Sequence, residues 1–117
     1  MRTPVALSWM PWILLSVAIL FEVAGTTSMK LSRGFAEIWP SIGVFVFYLG
    51  AAAAIILALR RLELSIAYAI WSGVGTALTV MIGITFFREP LTAIKLASIA
   101  LVVIGVAGLS LATKAAE

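Results

Sequence analysis

Four long apolar runs constrain this chain more than any other feature of its sequence. They cover approximately residues 9–29, 41–59, 64–87 and 94–112. A helix needs about 20 predominantly apolar residues to cross about 30 Å of hydrocarbon, and each run is close to that length. The runs are continuous rather than alternating, which disfavours the strands of a membrane barrel. The sequence therefore predicts an all-α integral membrane protein with four transmembrane helices.

Composition and length narrow the possible classes of protein. Hydrophobic residues make up 63% of the 117 residues and charged residues only 11%, whereas a soluble domain carries about 25% charged residues. The short connections predict antiparallel neighbouring helices within a single transmembrane domain, residues 1–117. They leave no room for a P-loop or a Rossmann turn, and the sequence shows no nucleophile–base pair or metal cluster. We therefore expect no enzyme, no ATP-driven pump, no cofactor, no metal site and no nucleic-acid partner.

The first run can also be interpreted as a cleaved signal peptide, because Arg2 precedes it. A signal-peptidase site requires small residues just before the cleaved bond. Cleavage before Gly25 would put Glu22 where a small residue is needed. We therefore expect the first run to remain as a membrane span.

Lysine and arginine are evenly divided between the two sides of the predicted bundle. The N-terminus, the second connection and the C-terminus share one side, and the first and third connections share the other. The two sets are Arg2, Arg60, Arg61 and Lys114 on the first side, and Lys30, Arg33, Arg88 and Lys95 on the second. An excess of positive charge normally orients a membrane protein, and this chain has none. Either other signals orient the chain, or copies insert both ways and pair head to tail.

Glu22 is the only acidic residue inside any of the four runs. A charged residue at the centre of a membrane helix costs about 3 kcal/mol on insertion scales. The eight Ile, Leu, Val and Phe residues between positions 13 and 23 favour insertion by about 4 kcal/mol. The helix can therefore insert despite Glu22, and such a cost usually marks function. The alternative is a structural carboxyl that stays protonated and bonds a neighbouring helix.

Small and hydroxylated residues share the helix face of Glu22. Residues three or four apart meet on one side of a helix, which brings Ala18, Gly25 and Thr26 next to Glu22. They leave space and offer hydrogen bonds, although small residues also favour close packing between membrane helices. No basic residue lies deep in a run to pair with Glu22. The carboxyl can therefore exchange a proton for a mobile cation, which predicts a proton-coupled cation site.

Aromatic residues of the third run are candidates for the same site. In the segment AYAIWSGVG, residues 67–75, Tyr68, Trp71 and Ser72 project together because they are three or four residues apart. Aromatic rings attract organic cations, although Tyr and Trp also mark the membrane interface. Tyr48 in the second run offers another ring and hydroxyl.

Glycines and other small residues suggest two further roles. Gly73 and Gly75 are candidate bending points because glycine is a common cause of helix kinks. The fourth run carries a narrow stripe of mostly small residues, which favours a seam between membrane helices. The stripe comprises Ser98, Leu101, Gly105, Gly108 and Ala112. We interpret this run as an association arm rather than as part of the site.

Taken together, these motifs resemble the small multidrug resistance family of bacterial membrane transporters along nearly the whole chain. The matching segments are EVAGTTSMKLSRGF, WPSIG, AYAIWSGVG and the small-residue heptad of the last run. Within the family, GTTSMK resembles the branch that exports quaternary ammonium and other lipophilic cations. The resemblance implies four-helix subunits that form an antiparallel, dual-topology homodimer in the bacterial cytoplasmic membrane.

The resemblance also implies roles for individual residues. Glu22 of both copies would form one central site where protons and cationic substrates compete, giving proton-driven export. By position, the aromatic partners of the glutamate are matched by Tyr68, Trp71 and Tyr48. Its hydrogen-bonding neighbours are matched by Ser72 and Thr26, and the bending point of the site is matched by Gly73 and Gly75.

Three functions stay open at the level of the sequence. The first is a proton-coupled exporter of lipophilic cations, and the second is a narrow exporter of guanidinium or a polyamine on the same scaffold. The third is a non-transporting membrane assembly partner in which Glu22 is structural. The small residues Gly25 and Ala51 to Ala54 favour a roomy pocket and therefore the first function.

Overall fold

The computed structural model describes residues 9–116, and side chains as far as residue 112. This part of the chain forms four helices: α1 (Met10–Leu31), α2 (Ile38–Ala58), α3 (Leu64–Phe86) and α4 (Ala93–Ala116). All four are long and apolar enough to cross a membrane. The predicted all-α fold with four such helices is confirmed, and the helix ends lie within a few residues of the apolar runs. Arg2 and the side chain of Lys114, which entered the charge count, lie outside the described residues.

Proline and threonine account for several helix starts. Pro11 and Pro40 lie in the first turns of α1 and α2, where a missing N–H is tolerated because first-turn N–H groups have no partner within the helix. Thr92 caps α4, since its hydroxyl accepts a hydrogen bond from the Lys95 N–H at 3.1 Å. Threonine is a favoured residue at this position for that reason. These residues therefore favour helix starts close to the beginnings of the apolar runs.

The connection between α1 and α2 is a tight reversal. Arg33, Gly34 and Phe35 have φ angles of 49°, 67° and 71°, in the left-handed region that glycine enters most readily. The Phe35 ring stacks on that of Phe45 in α2, with 6.4 Å between centroids. This contact holds the connection against α2, and the reversal lays α2 antiparallel beside α1.

Helix α1 is the centre of the bundle. It packs along α2 and against α3, whereas α4 packs mainly against α3. A buried cluster joins Leu15, Ile19 and Val23 of α1 to Ala58 of α2 and Ala67 of α3. Many large apolar side chains face outward instead, as expected for helices whose outer faces contact lipid chains as apolar as themselves. Helices α1 and α3 therefore share part of the buried core.

Two glycines of α2 let α1 approach closely. A β-carbon at Gly50 would lie 2.5 Å from Cδ2 of Phe21, and one at Gly43 would lie 3.1 Å from Oγ of Ser28. Small residues allow membrane helices to bring their backbones together in this way. These contacts set the register of α2 against α1, and with it the position of Tyr48 relative to α1.

Replacing Gly50 with alanine should destabilise the bundle by about 1–3 kcal/mol, the usual cost of overpacking a close contact. The added methyl group would overlap the Phe21 ring, which also lies beside the Phe47 ring at 6.0 Å between centroids. The measurement is the loss of helical circular dichroism as SDS is added to protein in a mild detergent. Ala52→Val, on the exposed side of α2, is the control and should unfold like wild type. Identical curves for all three proteins would contradict this packing.

Candidate functional site

A cavity of about 410 Å³ lies between α1 and α3. Its volume falls in the range of about 300–1,000 Å³ that is typical of small-molecule sites. Helix α1 contributes Glu22 and Thr26 to the wall. Helix α3 contributes Tyr68, Trp71, Ser72, Gly75, Thr76, Thr79 and Val80. Most of the site residues predicted on these two helices therefore surround one space.

The carboxylate of Glu22 is partly buried and forms part of the cavity wall. Thr26, one turn further along α1, donates its hydroxyl to Oε1 of Glu22 at 3.2 Å. On the α3 side, a β-carbon at Gly75 would lie 3.3 Å from Oε2 of Glu22. The missing side chain at Gly75 thus makes room for the carboxylate. Both contacts are with neutral groups, an arrangement in which a mobile cation can supply the counter-charge.

Tyr48 connects to the carboxylate through Thr26. Its hydroxyl lies 2.8 Å from Oγ1 of Thr26, which extends the hydrogen-bonded chain from Glu22 to α2. The Tyr48 ring packs over Gly25, where a β-carbon would lie 3.1 Å from Cε2 of the ring. Tyr48 is therefore part of the hydrogen-bond network behind Glu22 rather than of the cavity wall, and Gly25 is the residue that allows its approach.

Tyr68 and Trp71 form an aromatic wall on α3. Their ring centroids are 5.9 Å apart and the rings meet edge to face at 86°. Tyr68 is 60% exposed, whereas Trp71 packs partly against the buried cluster. The indole N–H of Trp71 is buried and has no hydrogen-bond partner among the described residues. Buried polar groups are nearly always paired, so this N–H is an exception among the described side chains.

Three residues of the cavity wall were missed by sequence reasoning. Thr76, Thr79 and Val80 continue the face that begins with Tyr68 and Ser72. The signal was present, since they follow Ser72 at the spacings that repeat on one side of a helix. Ser72 itself donates its hydroxyl to the backbone carbonyl of Tyr68 at 2.8 Å. It therefore lines the cavity without bonding Glu22, the neighbour that the resemblance implied.

The predicted bending residues of α3 point to different neighbours. A β-carbon at Gly73 would lie 2.5 Å from Cγ2 of Val106 in α4, whereas Gly75 meets Glu22. Helix α3 is continuous through both glycines. Their bending role stays a prediction. Ala18, with 0% exposure, packs inside the bundle and is not among the residues of the cavity wall.

Helix α4 presents an open outer surface. None of its residues from 93 to 112 is buried. A β-carbon at Gly105 or Gly108 would meet nothing within 4 Å. All members of the predicted seam are exposed, namely Ser98, Leu101, Gly105, Gly108 and Ala112. The stripe is thus accessible, and its role in association stays a prediction.

The residues of the cavity wall have the chemical groups that can bind an organic cation. They combine one carboxylate, two aromatic rings and several hydroxyl groups. A cation gains from the charge of Glu22 and from the ring faces, the latter worth about 0.5–2 kcal/mol. Within residues 9–116, no group of three or more His, Cys, Asp or Glu side chains could hold a metal ion.

Known proteins resemble this chain over most of its length. The family model described as Small Multidrug Resistance protein matches residues 10–102. The uncharacterized membrane protein YvaE of Bacillus subtilis (strain 168) is 46% identical over 102 residues, 87% of this chain and 86% of the relative. The multidrug resistance protein EbrB of the same strain is 43% identical over 103 residues, 88% of each chain.

A mycobacterial relative extends the match beyond Bacillus. The multidrug resistance protein Mmr of Mycobacterium tuberculosis (strain ATCC 25618 / H37Rv) is 36% identical over 104 residues, 88% of this chain and 97% of the relative. Four membrane-length helices and these matches make the chain a multi-pass membrane protein. The chain belongs to the small multidrug resistance family of transporters.

Proposed function

We propose that this chain is a proton-coupled exporter of lipophilic or quaternary ammonium cations. The observation that carries the proposal is the cavity in which Glu22, the only carboxylate within the four spans, lies with Tyr68 and Trp71. Membership of the family, and relatives that are named multidrug resistance proteins, support export of several compounds rather than one.

Competition between proton and substrate at Glu22 couples the two fluxes. A cation next to the carboxylate favours its ionised form, so binding displaces the proton. By linkage, protonation weakens cation binding by the same factor. A site that opens alternately to each side of the membrane then exchanges an incoming proton for an outgoing cation.

The functional unit in this proposal is an antiparallel homodimer of dual topology. Two observations support this dimer: lysine and arginine are evenly divided between the two sides, and the small-residue stripe of α4 is exposed. In this arrangement Glu22 of both copies shares one central site. The bacterial relatives are consistent with a location in the bacterial inner membrane.

Transport in liposomes tests the proposal and separates it from the two alternatives. Purified protein is reconstituted, a pH gradient is imposed, and a panel of tetraphenylphosphonium, tetraethylammonium, guanidinium and spermidine is assayed. We expect proton-driven transport of the first two. Transport of guanidinium or spermidine alone would favour the narrow exporter. No transport of any member would favour a non-transporting assembly partner.

Replacing Trp71 with alanine should weaken binding of tetraphenylphosphonium by about 1–2 kcal/mol, or about 5–30-fold, because a desolvated ring face is lost. Isothermal titration calorimetry of protein in detergent gives the Kd. The matched control is Trp39→Ala, which removes a tryptophan that is 79% exposed and lies outside the cavity wall. Unchanged binding by Trp71→Ala would assign Trp71 to the aromatic belt of the membrane interface instead.

A further inference from the structure

A second, smaller cavity adjoins the central one between the C-terminal parts of α1 and α3. Its volume is about 150 Å³. Thr26 of α1 and Thr79 of α3 line both cavities, so the two spaces are neighbours across this pair of threonines. The outer cavity continues to Lys30 in the last turn of α1 and to Glu89 beyond α3. At 1.5 Å per residue, Lys30 lies about 12 Å along α1 from Glu22, towards the membrane surface.

The chain folds Glu89 back over the end of α3. Arg88 adopts a left-handed conformation with φ of 56°, and the Glu89 N–H donates to the Gly83 carbonyl at 3.0 Å. The Glu89 carboxylate packs on Gly83, where a β-carbon would overlap it. Because Gly83 has no side chain, the Glu89 carboxylate can reach the outer cavity.

The volume of the outer cavity determines what it can hold. Each molecule of liquid water occupies about 30 Å³, so this cavity has room for about five waters. Sites for drug-sized molecules begin at about 300 Å³. Lys30 adds a positive charge to the wall, which repels a cationic substrate. The outer cavity is therefore suited to water and protons and not to the cation bound beside Glu22.

We propose that the outer cavity is a hydrated proton path between the membrane surface and Glu22, with Glu89 as the carboxylate at its mouth. This inference rests on the proposed function, because it requires Glu22 to exchange a proton. Glu89 accepts a proton from bulk water and passes it through cavity waters and the Thr79 and Thr26 hydroxyls to a Glu22 oxygen. A hydroxyl can relay a proton because it both donates and accepts hydrogen bonds. Glu89 ends as a carboxylate again, and the reverse sequence releases the proton.

Three positively charged side chains lie on the segments of the chain around Glu89. Lys30 faces it across the cavity from α1, and Arg88 precedes it in the chain. The ammonium group of Lys95 in α4 donates a hydrogen bond to the Pro90 carbonyl, with 2.6 Å between the two atoms. These cations keep the mouth of the path from becoming a second binding site for the positively charged substrate.

The rate of proton release tests the path separately from the equilibrium that the proposed function predicts. Protein in weakly buffered detergent is mixed with tetraphenylphosphonium in a stopped-flow instrument, and a pH dye is followed. Glu89→Gln should release as many protons as wild type and bind with the same affinity, but release them at least about tenfold more slowly. Added imidazole, a small diffusible base, should restore its rate. Thr79→Val should also release protons slowly.

The control is Glu37→Gln, which removes a carboxylate from the α1–α2 connection, on the same side of the bundle but outside the outer cavity. It should release protons at the wild-type rate. Wild-type rates in both Glu89→Gln and Thr79→Val would overturn the path. Slow release by Glu89→Gln that imidazole fails to restore would also overturn it, since that result indicates a structural effect. If wild type binds without releasing protons, the proposed function fails, and the path fails with it.

Discussion

Replacing Glu22 with glutamine should abolish proton-coupled transport while leaving the helical bundle intact. Glutamine fills nearly the same space and can still accept the hydrogen bond that Thr26 donates at 3.2 Å. It cannot ionise, so it neither attracts a cation by charge nor exchanges a proton for one. The measurement is tetraphenylphosphonium transport into proteoliposomes under an imposed pH gradient. Transport should fall to the rate of protein-free liposomes.

The control for this experiment is Glu63→Gln, which neutralises an exposed carboxylate immediately before α3. It should transport like wild type. Circular dichroism and the elution volume in detergent should be the same for all three proteins, because an uncharged residue at position 22 removes a cost of insertion. Wild-type transport by Glu22→Gln would contradict the role of Glu22 and favour a structural carboxyl.

Adding two lysines to the α2–α3 connection beside Arg60 should bias insertion to one orientation and remove most of the transport activity. In the proposed dual topology, the even distribution of positive charge lets copies of the wild-type chain insert both ways, and short connections respond to added Lys and Arg. Copies that share one orientation cannot form the antiparallel dimer. The measurement is resistance of cells to a quaternary ammonium compound, together with the location of a C-terminal tag.

Co-expression supplies the decisive control. A second copy, with two lysines added beside Arg33 in the α1–α2 connection, should insert the opposite way and be inactive alone. The two biased copies together should restore resistance. Two glutamines added beside Arg60 should have little effect, because they carry no charge. A wild-type population with every C-terminus on one side of the membrane would contradict the antiparallel dimer.

The helices and the central carboxylate could be predicted from the sequence because each depends on local chemistry. A continuous apolar run of sufficient length forms a membrane helix whatever its neighbours are. Glu22 is conspicuous because a carboxylate is costly in hydrocarbon, and Thr26 follows it at a spacing that brings the two side chains together. The hydrogen bond between them agrees with that spacing.

The arrangement of the helices could not be predicted because it depends on contacts between runs. The sequence groups Gly73 and Gly75 as one bending point, but residues two apart are separated by about 200° around a helix. In the structure Gly73 packs against α4, and Gly75 faces Glu22. The sequence predicts Tyr48 as an aromatic neighbour of Glu22, but its packing on Gly25 follows from the register of α2 against α1.

The proximity of the α3 C-terminus to α1 also could not be predicted from the sequence. In the sequence, Glu89 lies in a short connection after the third apolar run, and its sequence neighbours give no reason to associate it with Thr26. The association arises from the fold of the chain at Arg88 and from the space at Gly83. Contacts of this kind require the three-dimensional arrangement of two helices that are not consecutive.

Proton release on substrate binding is the most direct test of the central claim, that a cation and a proton compete at Glu22. Tetraphenylphosphonium is added to weakly buffered protein in detergent, and a pH dye reports the protons released as the site fills. A cation beside the carboxylate favours its ionised form, so binding to the protonated site should release protons, and affinity should fall as the pH is lowered. The release should vanish at high pH, where the carboxylate is already ionised, and in Glu22→Gln at every pH. Saturable binding without proton release at every pH tested would contradict competitive exchange.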